Sequence, residues 1–138
     1  MDYKYAQNTA VTADRSRAEI ERILQKAGAD EFGYITNKNV TQIAFRLKDR
    51  MLRFSVPVPK NVKDPEKEMR RKWRVLALSI KSKLVAVREG TSFEEEFLAH
   101  IVIPGDGRTL GEAMIPELDN AYKTRTMPKL LSSIEDAQ

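Results

Sequence analysis

The sequence predicts an α+β fold: an N-terminal helix, a three-stranded antiparallel meander, a long amphipathic helix, then two or three C-terminal helices. Three observations predict it. Apolar and polar side chains alternate at period two in two runs between residues 41 and 58. Met69, Trp73, Leu76, Ile80, Leu84 and Val87 recur at spacings of three and four, the stripe of a long helix. Strand patterns are segregated from helix patterns, which argues for helices on one face of a small antiparallel sheet. The order is αβββααα in one domain over 14–131, after a flexible segment 1–13 and before a frayed tail 132–138.

The first element is a short helix near 17–27. Ser16-Arg17-Ala18-Glu19 fits a capping box, Ile20, Ile23, Leu24 and Ala27 follow at helical spacing, and Gly28 stops it. Upstream, Val11 is a candidate edge contact. Residues 32–36 form the first strand, and Asn37-Lys38-Asn39 is a turn. In the second strand Thr41, Ile43, Phe45 and Leu47 alternate with Gln42, Ala44, Arg46 and Lys48. In the third, Leu52, Phe54, Val56 and Val58 alternate with Met51, Arg53 and Ser55. A two-residue turn at Asp49-Arg50 pairs Leu47 with Leu52, Phe45 with Phe54 and Ile43 with Val56. It also sets Arg46 directly opposite Arg53, where like charges repel. Pro57 and Pro59 end this strand and mark it as an edge.

A basic link over 60–65 leads to the long helix, near 66–89, which Gly90 ends. Thr91-Ser92 caps a helix over 93–103, with Glu94 and Glu95 in its first turn and Phe93, Phe97 and Ile101 on one face. Pro104-Gly105-Asp106-Gly107 is a tight turn, and Thr109-Leu110-Gly111-Glu112 is a second capping box. Leu110, Met114, Leu118, Ala121 and Tyr122 form the last stripe, which Pro116 is expected to kink or break. Met127-Pro128-Lys129-Leu130-Leu131 is an apolar hook expected to dock.

Composition narrows the function. The chain has 138 residues and no cysteine, which excludes disulfides, thiolate zinc sites, iron–sulfur clusters and a cysteine nucleophile. A single histidine, His100, excludes multi-histidine metal sites. No apolar run approaches a membrane span, and Met1-Asp2-Tyr3-Lys4-Tyr5 has no apolar leader core, so a cytoplasmic protein is expected. Net charge is only +4, but it is segregated. Residues 38–88 hold 15 Lys+Arg against 4 Asp+Glu, and residues 89–138 hold 4 against 10. Such a pattern has two readings: a cationic face for an anionic partner, or an acidic end that neutralises the basic middle.

The face with Gln42, Arg46, Lys48, Arg53 and Ser55 is the first candidate site, because arginine grips phosphate bidentately. Arg70, Arg71, Lys72 and Arg74, crowded into the first turns of a helix whose dipole disfavours cations there, are the second. Their internal partner would be the Glu94-Glu95-Glu96 run. Trp73 between them could stack on a base, but its place on the apolar stripe favours the core. Glu96 and His100, four apart, could join Glu95, Asp106 or Asp119 in a metal or acid–base site, although no spacing specifies it. The Asp106-Gly107-Arg108-Thr109 run could hold an anion at a helix start, though turn chemistry accounts for it. No GxSxG, P-loop or HExxH motif is present. No enzymatic activity, cofactor or metal is therefore expected.

Trp73-Arg74, Ile80-Lys81, Lys83-Leu84 and Gly90 lead into Phe93-Glu94-Glu95-Glu96-Phe97-Leu98-Ala99-His100-Ile101. Gly107-Arg108-Thr109, Glu112, Pro116, Ala121-Tyr122 and Met127-Pro128-Lys129-Leu130-Leu131 follow. Together with Ser16-Arg17-Ala18-Glu19-Ile20-Glu21, this resembles a family of small uncharacterised bacteriophage and prophage proteins. The resemblance spans most of the chain. It implies action inside a bacterial cell and brings no site residues. The order αβββα is also similar to a double-stranded RNA-binding domain. The chain lacks that family's Gly-Pro-x-His loop and Lys-Lys-x-Ala-Lys helix start, so this is an analogy of fold only.

The sequence thus points to a non-enzymatic nucleic-acid-binding protein that contacts phosphates through Arg46, Lys48, Arg53, Arg70, Arg71, Lys72 and Arg74. Single-stranded DNA is the first expectation, since an open sheet suits an extended strand. The alternative is a module that binds or inhibits a host or phage protein through its acidic and apolar C-terminal helices. Either reading accommodates a homo-oligomer, and neither involves a membrane.

Overall fold

The computed structural model describes residues 15–128. A helix, α1, covers 15–26. Three antiparallel strands follow in chain order: β1 (Asp30–Thr36), β2 (Val40–Leu47) and β3 (Arg50–Pro57). Then come α2 (Pro65–Arg88), α3 (Phe93–Phe97), a 3-10 turn (Leu98–His100) and α4 (Leu110–Thr124). This is the mixed α+β arrangement that the segregated patterns imply. The flexible segment 1–13, Val11, Lys129–Leu131 of the hook and the tail after Ser132 lie outside the described residues.

The apolar positions of the β2–β3 alternation form the floor of the core. Ile43, Phe45, Leu47, Leu52 and Phe54 meet Ile20 and Leu24 of α1, Trp73, Ala77 and Ile80 of α2, and Phe93 and Phe97 of α3. The helices α1, α2 and α3 share that one sheet face, and Arg46 and Ser55 on the opposite face are exposed. The Arg17 guanidinium lies 5.2 Å from the Tyr34 ring centre and 5.6 Å from that of Trp73, which ties α1 to both β1 and α2. Burial, and next the charge of Glu21, push the Tyr34 phenol upward, so it stays neutral.

The β2–β3 register differs from the expected one by two residues. Leu47 pairs with Arg50, Phe45 with Leu52 and Ile43 with Phe54. The turn residues are Lys48 (φ 51°) and Asp49 (φ 60°), both left-handed, as a two-residue hairpin turn matched to strand twist requires. A slip of two keeps every side chain on its face, so the core set is unchanged. It separates the two arginines, however: Arg46 faces Met51 and Arg53 faces Ala44. The expected opposition of Arg46 and Arg53 does not exist.

Three further expectations are corrected. Residue 15 is already helical, so Ser16 lies inside α1 and does not cap it. The helix expected over 93–103 ends at Phe97. The β-branched Ile101 and Val102, with Pro104 close behind, favour extended backbone. They bridge Leu52 and Thr109 respectively, and the Val102 N–H donates to the Met51 carbonyl at 2.8 Å. Phe93, Phe97 and Ile101 are nonetheless all buried together. Finally, α4 runs unbroken through Pro116, and its stripe is not core, since none of its residues is buried.

Caps fix the helix starts. Asp64 accepts from the Lys67 N–H with Pro65 opening α2, Ser92 accepts from the Glu95 N–H, and Thr109 with Glu112 forms the expected capping box. At the start of α4 a Cβ on Gly111 would stand 2.9 Å from the Ala99 carbonyl oxygen, so only glycine lets α4 sit this close to the 3-10 turn. Gly111→Ala is expected to destabilise the fold by about 1–3 kcal/mol despite alanine's better helix propensity. Urea denaturation checks it, and a variant as stable as the parent would refute the close approach.

Candidate functional site

The seven cations singled out in the sequence do not form one surface. Arg46 sits on the open sheet face, whereas Arg70–Arg74 belong to α2 on the covered side. Most are also engaged. Arg46 pairs with Asp49 at 3.3 Å and, more loosely, Glu31 at 4.0 Å. Arg53 donates to the Glu112 carboxylate and to the Gly107 carbonyl, the latter at 2.8 Å. That contact bolts the start of α4 to β3 and holds the Glu112 carboxyl below its usual range. Arg70 pairs with Glu66 at 3.1 Å and Arg71 with Glu68 at 2.9 Å, one turn away on their own helix. The run at Glu94–Glu96 is not their partner; Glu94 reaches Arg50 instead, at 3.8 Å. Trp73 is 1% exposed, so it cannot stack on a base.

Lys48, Lys72 and Arg74 have no ion pair among the described residues. Two of them lead to a larger feature. Lys67, Arg74, Lys81 and Arg88 stand seven apart along α2, and all four are exposed. Seven residues fall about 20° short of two full turns, so the four form one nearly straight edge, about 10.5 Å per step. The cause is compositional: after Glu68, α2 contains no acidic residue, so Arg74, Lys81 and Arg88 lack an acid one turn away in the helix.

The C-terminal half of this ladder forms the wall of a groove between α1, α2 and the tip of the β2–β3 hairpin. Its volume is about 630 Å³. The apolar floor includes Ile23, Leu47, Leu84 and Phe93, and the rim carries Arg22, Lys26, Lys48, Lys81 and Arg88 against one carboxylate, Glu19. None of these five cations has an ion pair among the described residues. Helix-dipole compensation accounts for Lys26 and Arg88, which lie at helix C-termini. It does not account for Lys67, Arg74 or Lys81. The groove and ladder together make a cationic track whose seven cations have no ion pair among the described residues.

Of the seven predicted residues, the track takes Lys48 and Arg74. Lys67, Lys81 and Arg88 stand with Arg74 at a spacing of seven in the sequence, a period that the contiguous run over 70–74 masks. Arg22 and Lys26 join only through the packing of α1 and carry no sequence signal.

The other candidates have structural roles. Asp106 accepts from the Arg108 backbone N–H and receives its guanidinium in a fork, 2.8 Å on each oxygen. Those bonds hold the Asp106 carboxyl down at about 2. The Thr109 capping box occupies the amides at the α4 start. His100 stacks on Phe54 with ring centres 3.9 Å apart. Burial, and then the charge of Lys83, lower its pKa. Among the described residues no group of three acidic, histidine or cysteine side chains converges to hold a metal. No helix among them is long and apolar enough to cross a membrane. Compared with known proteins, the chain matches no family model, no curated protein and no solved structure.

The stacked His100 generates a pH signature. Its lowered pKa means that the fold prefers the neutral ring, so this contribution is complete above the ordinary histidine value and declines as pH falls below it. His100→Phe keeps the stack and removes the titration. The stability of wild type relative to this variant is expected to be lower at pH 5 than at pH 7.5, by chemical denaturation. An equal difference at both values would show that the ring is not held neutral.

Proposed function

We propose that this chain is a non-enzymatic nucleic-acid-binding protein that grips the phosphate backbone along the outer edge of α2 and in the groove at its C-terminal end. One observation carries the reading: Lys67, Arg74, Lys81 and Arg88 form a ladder about 32 Å long with no ion pair among the described residues. A polyanion is the ligand class that offers charges over such a length. A small anion would be served by one converging cluster. The resemblance to small phage and prophage proteins, acting in the bacterial cytoplasm, fits this role. Recognition is of backbone rather than sequence, since the ladder offers no forked side chain fixed toward base edges. Trp73 is buried and no exposed aromatic flanks the ladder among the described residues, so the phosphate contact, common to single and double strands, carries the reading.

A protein-interaction role is the second reading, and the uncovered apolar stripe of α4 favours it. The two use different surfaces.

Fluorescence anisotropy against labelled single-stranded DNA, duplex DNA and duplex RNA over a salt series tests the first reading. Seven track cations set a ceiling of about 5 on the log–log salt slope for single strands and about 6 for duplex DNA. The triple variant Arg74→Glu, Lys81→Glu, Arg88→Glu is expected to lose binding by about 100-fold or more and to flatten the slope by about 2–3. Arg46→Glu, on the open sheet face, is the control and should change affinity by less than about 3-fold. Binding that survives the triple variant in folded protein would refute the track, and no binding of any of the three at low salt would refute nucleic acid as the ligand.

A further inference from the structure

We infer that α4 is the dimerisation element, pairing antiparallel with α4 of a second copy of this chain about a two-fold axis near Leu118. The inference goes beyond nucleic-acid binding and does not depend on it. α4 has no buried side chain along its length, yet Ile115, Leu118 and Tyr122 lie on one stripe and are 56%, 48% and 79% exposed. It is attached to the domain by Leu110 packed on the core, the Arg53–Glu112 pair and Gly111 against Ala99, and Ala113, Met114 and Ala121 are half-buried away from that stripe. A helix of this length is marginal in water without packing, and Pro116 removes one of its hydrogen bonds. The stripe needs a cover.

Charge identifies the cover as a second α4. The first half of the helix carries Glu112 and Glu117, followed by Asp119, while its end carries Lys123 and the cap residue Arg125. A parallel pair would set like on like. An antiparallel pair sets the acidic half of each helix beside the basic end of the other and opposes the two helix dipoles. The same register brings Ile115 to the partner's Tyr122. A groove of about 480 Å³, lined by Leu118, Ala121, Tyr122, Arg125 and Pro128, lies at that position to accept the incoming isoleucine. Each copy thus offers both knob and groove, as a closed two-fold interface requires.

Sedimentation of the full chain without nucleic acid is expected to give about twice the 15.8 kDa protomer mass, and Leu118→Glu to give the protomer with an unchanged circular-dichroism spectrum. Orientation is tested with cysteines, since the chain has none of its own. Ile115→Cys mixed with Tyr122→Cys should form a disulfide between the two variants, and neither variant alone should crosslink. A monomeric wild type, a dimer that survives Leu118→Glu, or crosslinking of each variant with itself would overturn the proposal. So would loss of the dimer in a chain ending at Pro128, which would assign the cover to residues 129–138. Anisotropy against the same nucleic acids, run on the Leu118→Glu protein, reads the track separately, so failure of one proposal is distinguishable from failure of the other.

Discussion

The helices α1, α2 and α3 are fixed against the aromatic face of the β2–β3 hairpin. Phe45 and Phe54 lie nearly parallel with ring centres 6.0 Å apart, and Phe97 meets Phe54 edge-on at 6.4 Å. Phe32 from β1 and His100 from the 3-10 turn close on the same pair. Burying an apolar side chain of this size contributes about 1.5–3 kcal/mol, whereas an exposed ion pair contributes about 0–1 kcal/mol. The hydrophobic face therefore decides that α1, α2 and α3 lie on one side of the sheet. The ion pairs refine where their ends rest, as Arg53 does for α4.

That division of labour leaves charge over. Several carboxylates are engaged away from the ladder: Glu66 and Glu68 on the first turns of α2, Asp106 on its own turn, Glu112 on β3. Lys83 is absorbed differently, donating to the Glu96 carbonyl at 3.2 Å. The remaining cations of α2 repel one another only weakly, because their spacing of about 10.5 Å exceeds the screening length of about 8 Å at physiological salt. The fold tolerates the ladder at little cost in cellular conditions, and the acidic C-terminal part does not cancel it within the described residues.

What could be read from the residues follows what is local. The alternation in β2 and β3 identifies the buried face, and the stripe of α2 identifies the side that packs on the core, with Trp73 and Ile80 buried and Met69, Leu76, Leu84 and Val87 half-buried, because facing follows period. Register was not legible. It turns on whether Lys48-Asp49 or Asp49-Arg50 makes the turn, and Lys48 in left-handed backbone breaks the usual preference for glycine or asparagine. Helical spacing at Phe93, Phe97 and Ile101 fits equally a short helix followed by an extended strap, and pairing with β3 decided between them. The stripe of α4 shows the limit of pattern: periodicity reports that a face is apolar but not what covers it. The site was half legible for the same reason, since the spacing of seven lies in the sequence while the approach of Arg22 and Lys26 does not.

The sheet is also protected from growing. One outer strand, β3, has the segment at Ile101–Val102 laid along part of its free edge. The other, β1, is broken by an irregularity between Asp30 and Gly33, where Glu31 adopts φ 54°. Kinks, charges and covering segments are the devices by which natural sheets stop another chain from adding a strand. A small sheet with one bare face would otherwise be prone to fibrillar stacking when the protein is concentrated. With both margins blunted, concentrated protein has no ready strand template, and orderly assembly is left to helical surfaces, which match a limited partner and then stop.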